Sequence, residues 1–485
     1  MMNLPTSGCL PIVRAGRCAM ARTATPVLRV AILLGLTAGP ALAQYPASRA
    51  ATAPGANAVS PAATTSAEEP IPVDENGSPI DPVRVLQQKI ESGEVTLEFD
   101  EEHGYLKSLL EHLGIPIESQ NLVFSRTSLQ TNLITPWTPR ALYFNDDVYI
   151  GWVQDSPFLE IASIDPDDGG VFYTLNQEPE VVHFEKEGTT CLMCHESRTV
   201  TEGVPGVMVR SVLSDRFGYP IAPLHEGTTT DRTPFDQRFA GWYVTGKHGG
   251  VSHAGNVYSQ GLSHEVTDVR RYLETFDMNA GGNVVHLEGR FDVEPYLTPH
   301  SDIVALLVLT HQTKVHNLIT VAHVAAREAV GGQAMLTRIN SGMLPVPPLQ
   351  SAAEVRVNGA VDRMVQAMLF SREAPLPGPV EGTSGFQEEF ESRGPYDPQG
   401  RSLREFDLQS RLFRYPMSFL IYSEAFEVLP DFVKEKFYTR LAAVLDGQDP
   451  TGDFTHLTEE DRTAIREILA ATKPEFLEFI GAAAR

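Results

Sequence analysis

Residues 141–153 read ALYFNDDVYIGWV, two short apolar runs on either side of an Asn-Asp-Asp turn. Similar runs lie before and after this stretch, and an acidic, glycine-rich turn at 165–170 separates the last two of them. Short apolar and aromatic runs bounded by such turns are typical of strands that pair antiparallel. The sequence therefore predicts a small antiparallel sheet from residues 122–125, 141–144, 148–153, 159–161 and 171–175.

Helical patterns lie on both sides of this predicted sheet. Residues 82–113 carry apolar residues at helical spacing. Residues 301–330 are apolar on all sides with few charges, which predicts a buried central helix with its N-cap at His300 or Ser301. Further helices are predicted at 353–372, 416–429, 431–446 and 458–472, and loops at 185–260 and 374–404.

These patterns predict an α+β fold that is mainly helical. A small antiparallel sheet would precede a loop region that binds a cofactor, and the C-terminal half would be helical. We expect two packed regions, residues 84–295 and residues 296–485. Thr458 and Asp461 are spaced as a capping box at the start of the last predicted helix.

The first 43 residues have the order of a secretory signal peptide. Two arginines, Arg22 and Arg29, precede the apolar run 30–36, and the small residues that end at Ala43 suit a cleavage site. The apolar run is far shorter than the roughly 20 residues that span a bilayer. Residues 44–83 are rich in Ala, Pro, Ser and Thr and predict a disordered linker. We therefore expect a periplasmic protein, cleaved near Ala43, with no transmembrane span.

Two cysteines remain after that cleavage, and they carry the most specific motif in the chain. Cys191, Cys194 and His195 form the pattern Cys-x-x-Cys-His. In c-type haem attachment each thiol adds to one haem vinyl group, and the histidine binds the iron. Attachment takes place outside the cytoplasm, which agrees with the predicted leader. The motif predicts one covalent haem c.

Three other interpretations of the motif stay open on sequence grounds. A structural zinc site would need two more soft ligands, and the chain has no second cysteine pair. A redox-active dithiol would place the motif at the start of a helix that follows a strand, which the residues before Cys191 do not exclude. A five-residue pattern can also arise by chance.

The haem propionates and the sixth iron position need further side chains. Arginine forks suit carboxylates, and Arg198 and Arg210 follow the motif closely. His248 and His253, on a glycine-rich loop, are the leading candidates for a second axial ligand. His311 on the predicted central helix ranks next, although a histidine on such a helix is more often a hydrogen-bonded core residue. Possible soft ligands are Met208, Met278 and Met417.

Several stretches resemble a family of large exported single-haem proteins that carry only the label of cytochrome c domain proteins. The resemblance covers about residues 85–475 and is carried by 142–153, 191–198, 203–206, 241–248 and 301–306. It implies haem binding and electron transfer at Cys191, Cys194 and His195. In that family a methionine often follows the second loop histidine, whereas this chain has Ala254 there.

Two function classes remain for such a protein. The first is electron transfer with a periplasmic redox partner, and the haem would then have two axial side chains. The second is a haem enzyme, peroxidase- or oxygenase-like, that acts on a small-molecule substrate at an open sixth position. In it His248, His253 or His311 would act as acid or base, helped by Arg238 or Trp242. A haem sensor ranks third, because no output domain is visible. The net charge of −24 argues against nucleic acid as a partner.

Overall fold

The computed structural model describes residues 72–74, 77–179, 182–223, 227–250, 252–260, 277, 280–340 and 352–483. The predicted signal peptide, most of the predicted linker and Met278 lie outside these residues.

An antiparallel sheet of six strands lies in the middle of the chain, and its strands pair in chain order. The Asn-Asp-Asp turn is closed by Asn145, whose Oδ1 accepts hydrogen bonds from the amides of Asp147 and Val148 at 3.1 and 2.9 Å. The five predicted strands are confirmed, and a sixth, charged strand was not predicted. The strands are β1 (Asn121–Val123), β2 (Arg140–Phe144), β3 (Val148–Trp152), β4 (Phe158–Asp165), β5 (Gly169–Asn176) and β6 (Phe184–Glu187).

The helices precede and follow the sheet. They are α1 (Pro82–Glu91), α2 (Leu106–His112), α3 (Thr189–His195), α4 (Ile303–Asn340), α5 (Ala352–Met368), α6 (Phe386–Ser392), α7 (Glu424–Glu427), α8 (Asp431–Leu445), α9 (Glu459–Thr472) and α10 (Pro474–Ala483). Short 3-10 turns lie at Ile117–Ser119, Phe235–Gln237 and Phe419–Tyr422, and a two-stranded sheet joins β7 (Val212–Ser214) to β8 (Pro220–Pro223). The predicted capping box at Thr458 and Asp461 is present. Helices α6 and α10 were not predicted.

The six-stranded sheet is covered on both faces, because its side chains alternate. Tyr143 and Ile150 pack with α1 and α2 in one apolar cluster. Phe144, Tyr149 and Phe172 pack with α4 and the C-terminal helices in the other. Strands β1 to β5 therefore each contribute to two separate cores, whereas β6 contributes only Phe184 to the first.

Helix α4 is the central element of the second core and is buried on nearly all sides from Ile303 to Ala329. Its N-cap is Asp302 rather than the predicted His300 or Ser301. The Asp302 carboxylate accepts hydrogen bonds from the amides of Val304 and Ala305 at 2.7 and 3.2 Å. Ser301 instead donates its hydroxyl to the Tyr243 carbonyl, so it holds a neighbouring loop.

The predicted fold class needs a correction. The fold is α+β with a helical C-terminal half, but 35% of it is helix and 16% strand, so it is not mainly helical. The sheet is also not small, because its six strands cover residues 121–187. The loop region before α4 contains α3, β6, β7 and β8, which the glycine and proline content of the sequence conceals. Among the described residues, no helix is long and apolar enough to cross a membrane.

Candidate haem-binding site

The Cys-x-x-Cys-His motif lies on a single short helix. Strand β6 ends at Glu187, Gly188 follows, and α3 then begins at Thr189 and ends at His195. Residues three and four apart share one face of a helix, so the two cysteines and His195 point to the same side. Cys191 and His195 are partly buried, Cys194 is exposed, and the two thiols are not joined in a disulfide.

The His195 ring is held by a backbone carbonyl. Its Nδ1 lies 2.8 Å from the carbonyl oxygen of Gly206, and the Gly206 amide donates to the His195 carbonyl at 2.9 Å. Because a carbonyl only accepts, Nδ1 carries the proton, and the lone pair is therefore on Nε2. Burial lowers the pKa of His195, which favours this neutral form. The ring also packs on Phe172, with the two ring centroids 4.5 Å apart.

The segment that supplies this carbonyl is fixed between the sheet and α4. The Asn317 amide nitrogen donates to the Val207 carbonyl at 2.9 Å, and Asn317 Oδ1 accepts from the Val207 amide at 3.2 Å. The Pro205 carbonyl accepts from the Gly170 amide at 2.9 Å. A Cβ at position 206 would overlap Asn317 Oδ1. Glycine is therefore required at 206 for this close approach.

A cavity of about 410 Å³ lies directly beside the motif. Cys191, Cys194 and His195 line it, and its other walls come from the sheet, the loop after α3, and α4. The volume is within the range of ligand pockets, about 300–1,000 Å³. Most of the wall is apolar and includes Leu142, Ala162, Val207, Val209, Trp242 and Leu309. The cavity therefore combines a largely apolar wall with two thiols and a histidine.

The same cavity contains polar residues that sequence reasoning did not select. Arg140 at the start of β2 and Glu160 on β4 both line it, and Met208 lines it from the loop after α3. A charged residue within a strand that is otherwise apolar is the signal that could have found Arg140 and Glu160. Met208 was only one of three methionine candidates. Of the other two, Met417 is buried away from this cavity.

The two arginines predicted to bind propionates are not on the cavity wall. Arg198 is exposed on the turn after α3. Arg210 contributes its carbonyl, which accepts from Trp242 Nε1 at 2.9 Å. The side chain of Arg210 does not line the cavity.

His248 and His253 contact each other rather than the cavity. Their Nε2 atoms lie 3.2 Å apart, and both rings are buried. His253 Nδ1 accepts from the Gly255 amide at 3.0 Å, so the proton of His253 is on Nε2 and is donated to His248. His248 Nε2 also lies 3.2 Å from the Gly282 carbonyl, but it cannot accept from His253 and donate to Gly282 at once. The pair therefore joins two loops.

His311 is a hydrogen-bonded core histidine. Its Nε2 lies 2.8 Å from Ser418 Oγ, and its Nδ1 lies 3.8 Å from Asp231 Oδ2. The ring stacks on Phe370 with centroids 4.1 Å apart. Arg238 is buried close by and donates to the Asp231 and Thr233 carbonyls. None of these side chains lines the motif cavity, whereas Trp242 does.

The surroundings of Cys191 bear on the dithiol and zinc interpretations. The strand–helix context of α3 is the one that a redox-active dithiol uses. However, burial, together with the carboxylates of Glu187 and Glu160, raises the pKa of Cys191 to about 11. Reactive dithiols need a lowered thiol pKa. Within the described ranges, no group of three or more His, Cys, Asp or Glu side chains could hold a metal ion.

Comparison of the chain with known protein families, with curated proteins and with solved structures finds no match. The case for a function therefore depends on the chain's own motif and cavity.

Proposed function

We propose that this chain is an exported, periplasmic c-type haem protein that transfers electrons. One haem would be attached through thioethers to Cys191 and Cys194, with His195 Nε2 as an axial ligand. The observation that carries the proposal is the 2.8 Å contact between His195 Nδ1 and the Gly206 carbonyl. Histidines that bind a metal through one ring nitrogen nearly always donate the other N–H to a carbonyl, carboxylate or water.

Each part of the site has a separate role in this proposal. The bound haem would supply one-electron chemistry through its iron. The Gly206 carbonyl would hold the His195 ring in the ligand tautomer and raise its basicity as a ligand. The apolar walls, including Phe172 and Trp242, would exclude water and set the dielectric environment of the iron. The raised thiol pKa of Cys191 would keep it as a thiol until the haem is attached.

Met208 is our candidate for the second axial ligand. It is a soft thioether on the cavity wall, and His248, His253 and His311 do not line that wall. Met193 also lines the cavity but is 75% exposed at its mouth. A thioether opposite a histidine raises the reduction potential of a haem. The chain would then be a carrier for a periplasmic redox partner.

A haem enzyme with an open sixth position is the second candidate. The observation that favours it is the exposure of Met193 and Cys194 at the cavity mouth, which gives small molecules a route to the iron. Met208 would then be part of the wall only.

Absorption spectra of the purified periplasmic protein distinguish these candidates. Ferric and dithionite-reduced samples are recorded with and without carbon monoxide. Electron transfer predicts a low-spin spectrum that carbon monoxide does not change. A high-spin spectrum that shifts with carbon monoxide would favour the enzyme, and peroxide and oxygen would then be tested as substrates. Haem that acid-acetone extracts, or no haem at all, would contradict both.

Two methionine variants then test the second ligand. Met208→Ala is expected to make the iron accessible to carbon monoxide. Met193→Ala removes the methionine at the mouth of the same cavity and is expected to leave the spectrum as in the wild type. Identical spectra for the two variants would exclude Met208 as the ligand.

A further inference from the structure

Arg140 lies beside the Cys-x-x-Cys-His motif, at a point of the sheet where a glycine leaves space for its side chain. It begins β2 and lines the motif cavity. Its guanidinium lies over Gly151 of β3, and a Cβ at position 151 would overlap the Nε and Nη2 atoms. A glycine inside a strand often marks such a close approach. The backbone of β3 thus provides the space that the Arg140 side chain occupies.

Glu160 of β4 holds this guanidinium from the other side. The Arg140 Nη2 and Glu160 Oε2 atoms are 2.7 Å apart, and both side chains are largely buried. The second oxygen of Glu160 accepts from the Leu129 amide at 2.9 Å. The carboxylate therefore connects Arg140 to the loop that forms the cavity rim at Thr127 and Ser128.

The ion pair leaves hydrogen-bonding capacity unused. The 2.7 Å contact does not have the angle of a hydrogen bond, and Arg140 Nε is buried with no hydrogen-bond partner among the residues that the structure describes. Leaving a buried donor unsatisfied is unfavourable, and more so for a charged group. The guanidinium also lines the cavity, and a cation on a largely apolar wall suits a ligand carboxylate.

This pair also acts electrostatically on the motif. Burial lowers the pKa of His195, the Arg140 charge lowers it further, and the Glu160 charge opposes both. Burial likewise raises the pKa of Cys191, where the charge of Glu160 adds to the shift and that of Arg140 reduces it. Arg140 and Glu160 are therefore close enough to influence groups at the iron position.

We propose, on the basis of the haem function proposed above, that Arg140 binds a propionate carboxylate of the haem. Glu160 is the positioning residue that holds the guanidinium over Gly151. The polar end of the cavity would then lie at the start of β2 and on β4, and not at Arg198 or Arg210. The positive charge of Arg140 would keep the propionate ionised and would favour the reduced iron.

The test is a pH titration of the reduction potential on the haem-loaded chain. In the wild type the propionate would stay ionised, so the potential is flat between pH 5 and 8. In Arg140→Gln the propionate pKa rises into this window, since its cation is lost. Reduction of the iron raises that pKa further, so the potential of the variant falls as pH rises through the window. We also expect the equilibrium constant for reduction at pH 8 to fall about tenfold, which for one electron is about 59 mV.

Three further variants keep the test decisive. Arg140→Lys preserves the charge and should restore most of the potential but not the propionate band in the resonance Raman spectrum. Glu160→Gln should raise the potential, because it removes a negative charge. Arg198→Gln removes a cation near the same helix without touching the cavity and should behave as the wild type.

The outcomes separate this inference from the function on which it depends. A wild-type chain without covalent haem contradicts the proposed function. A haem-loaded Arg140→Gln variant with a flat, unshifted potential and an unchanged propionate band contradicts the role of Arg140 alone. If Arg198→Gln rather than Arg140→Gln gives the pH-dependent potential, the propionate is bound at Arg198.

Discussion

His195 is partly buried and His253 is buried, and both lie next to glycine-rich segments, but their backbone partners leave opposite ring nitrogens free. His195 donates its Nδ1 proton to the Gly206 carbonyl, so Nε2 carries the lone pair. His253 accepts the Gly255 amide at Nδ1, so its Nε2 carries a proton and donates to His248. The comparison shows that one hydrogen bond to the main chain decides which ring nitrogen carries the lone pair that a metal ion would need.

The surroundings of His195 and His253 also differ. His195 lines a cavity of about 410 Å³ with two thiols on its own helix face. His253 packs against Phe239 and Phe235, with ring centroids 5.9 and 6.3 Å away. The first histidine therefore lies on a cavity wall, and the second is enclosed by core side chains.

The largest expected effect comes from replacing each of the two histidines in a separate variant. His195→Ala should remove the low-spin spectrum and most of the attached haem, because it deletes the proposed axial ligand. His253→Asn should keep the spectrum and lower only the free energy of unfolding, by about 1–3 kcal/mol for a lost buried hydrogen bond. Haem per chain from the absorbance ratio, and urea unfolding, measure the two quantities. Loss of the low-spin spectrum in His253→Asn alone would reverse the comparison.

A smaller effect is expected from the glycine that supplies the carbonyl. Gly206→Ala forces a Cβ against Asn317 and should lower the free energy of unfolding by about 1–3 kcal/mol, as overpacking does. It should also displace the carbonyl from His195 and so reduce the attached haem.

Gly359→Ala is the matched control for this variant, since a Cβ at that position on α5 meets no atom within 4 Å. It should be neutral or stabilise the protein by about 0.4–1 kcal/mol. Equal unfolding curves for the two alanine variants would contradict the close packing at position 206.

The smallest expected effect is the contribution of His253 to the pH dependence of the free energy of unfolding. Burial, together with the charge of His248, lowers the pKa of His253 to about 3. The unfolded chain has an ordinary histidine pKa of about 6.5, so it binds one more proton between these values. The stability that His253 contributes is therefore complete above pH 6.5 and is lost as the pH falls toward 3.

Unfolding by urea at pH 7, 6 and 5 tests this sign. Between pH 6 and 5 the wild type should lose about 1 kcal/mol more per pH unit than His253→Asn. The comparison of slopes is needed because burial raises the pKa of Asp147 to about 8 and of Glu373 to about 7, which acts in the opposite direction. Equal slopes would contradict a neutral, buried His253.

Local patterns predicted the elements whose signals lie within a few residues. The strands around Asn145 were predicted from alternation and turn residues, and the capping box from Thr458 and Asp461. Strand β6 was missed because three of its four residues are charged, and helix α6 because it lies in a stretch rich in Gly, Pro and Glu. Tertiary contacts determine the conformation of both. The term "mainly helical" was wrong because the sheet continues through β6 and is covered on both faces.

The site residues were likewise predicted only where they lie close together in the sequence. The motif residues were found because all three lie on one turn and a half of helix. Arg140, Glu160 and the Gly206 carbonyl come from separate elements and meet only in the folded chain, so no spacing in the sequence could select them. His248 and His253 were predicted as alternative axial ligands, whereas the structure places them in contact with each other, and their tautomers depend on Gly255 and on each other.

The most direct test of covalent haem attachment is the intact mass of the chain, produced with export in a host that attaches haem to c-type proteins. Attachment at these two cysteines predicts a mass increase of one haem for the wild type and none for the Cys191→Ser/Cys194→Ser double variant. A wild-type chain with an unmodified mass, or with a mass lower by the two hydrogens of a disulfide, would contradict it.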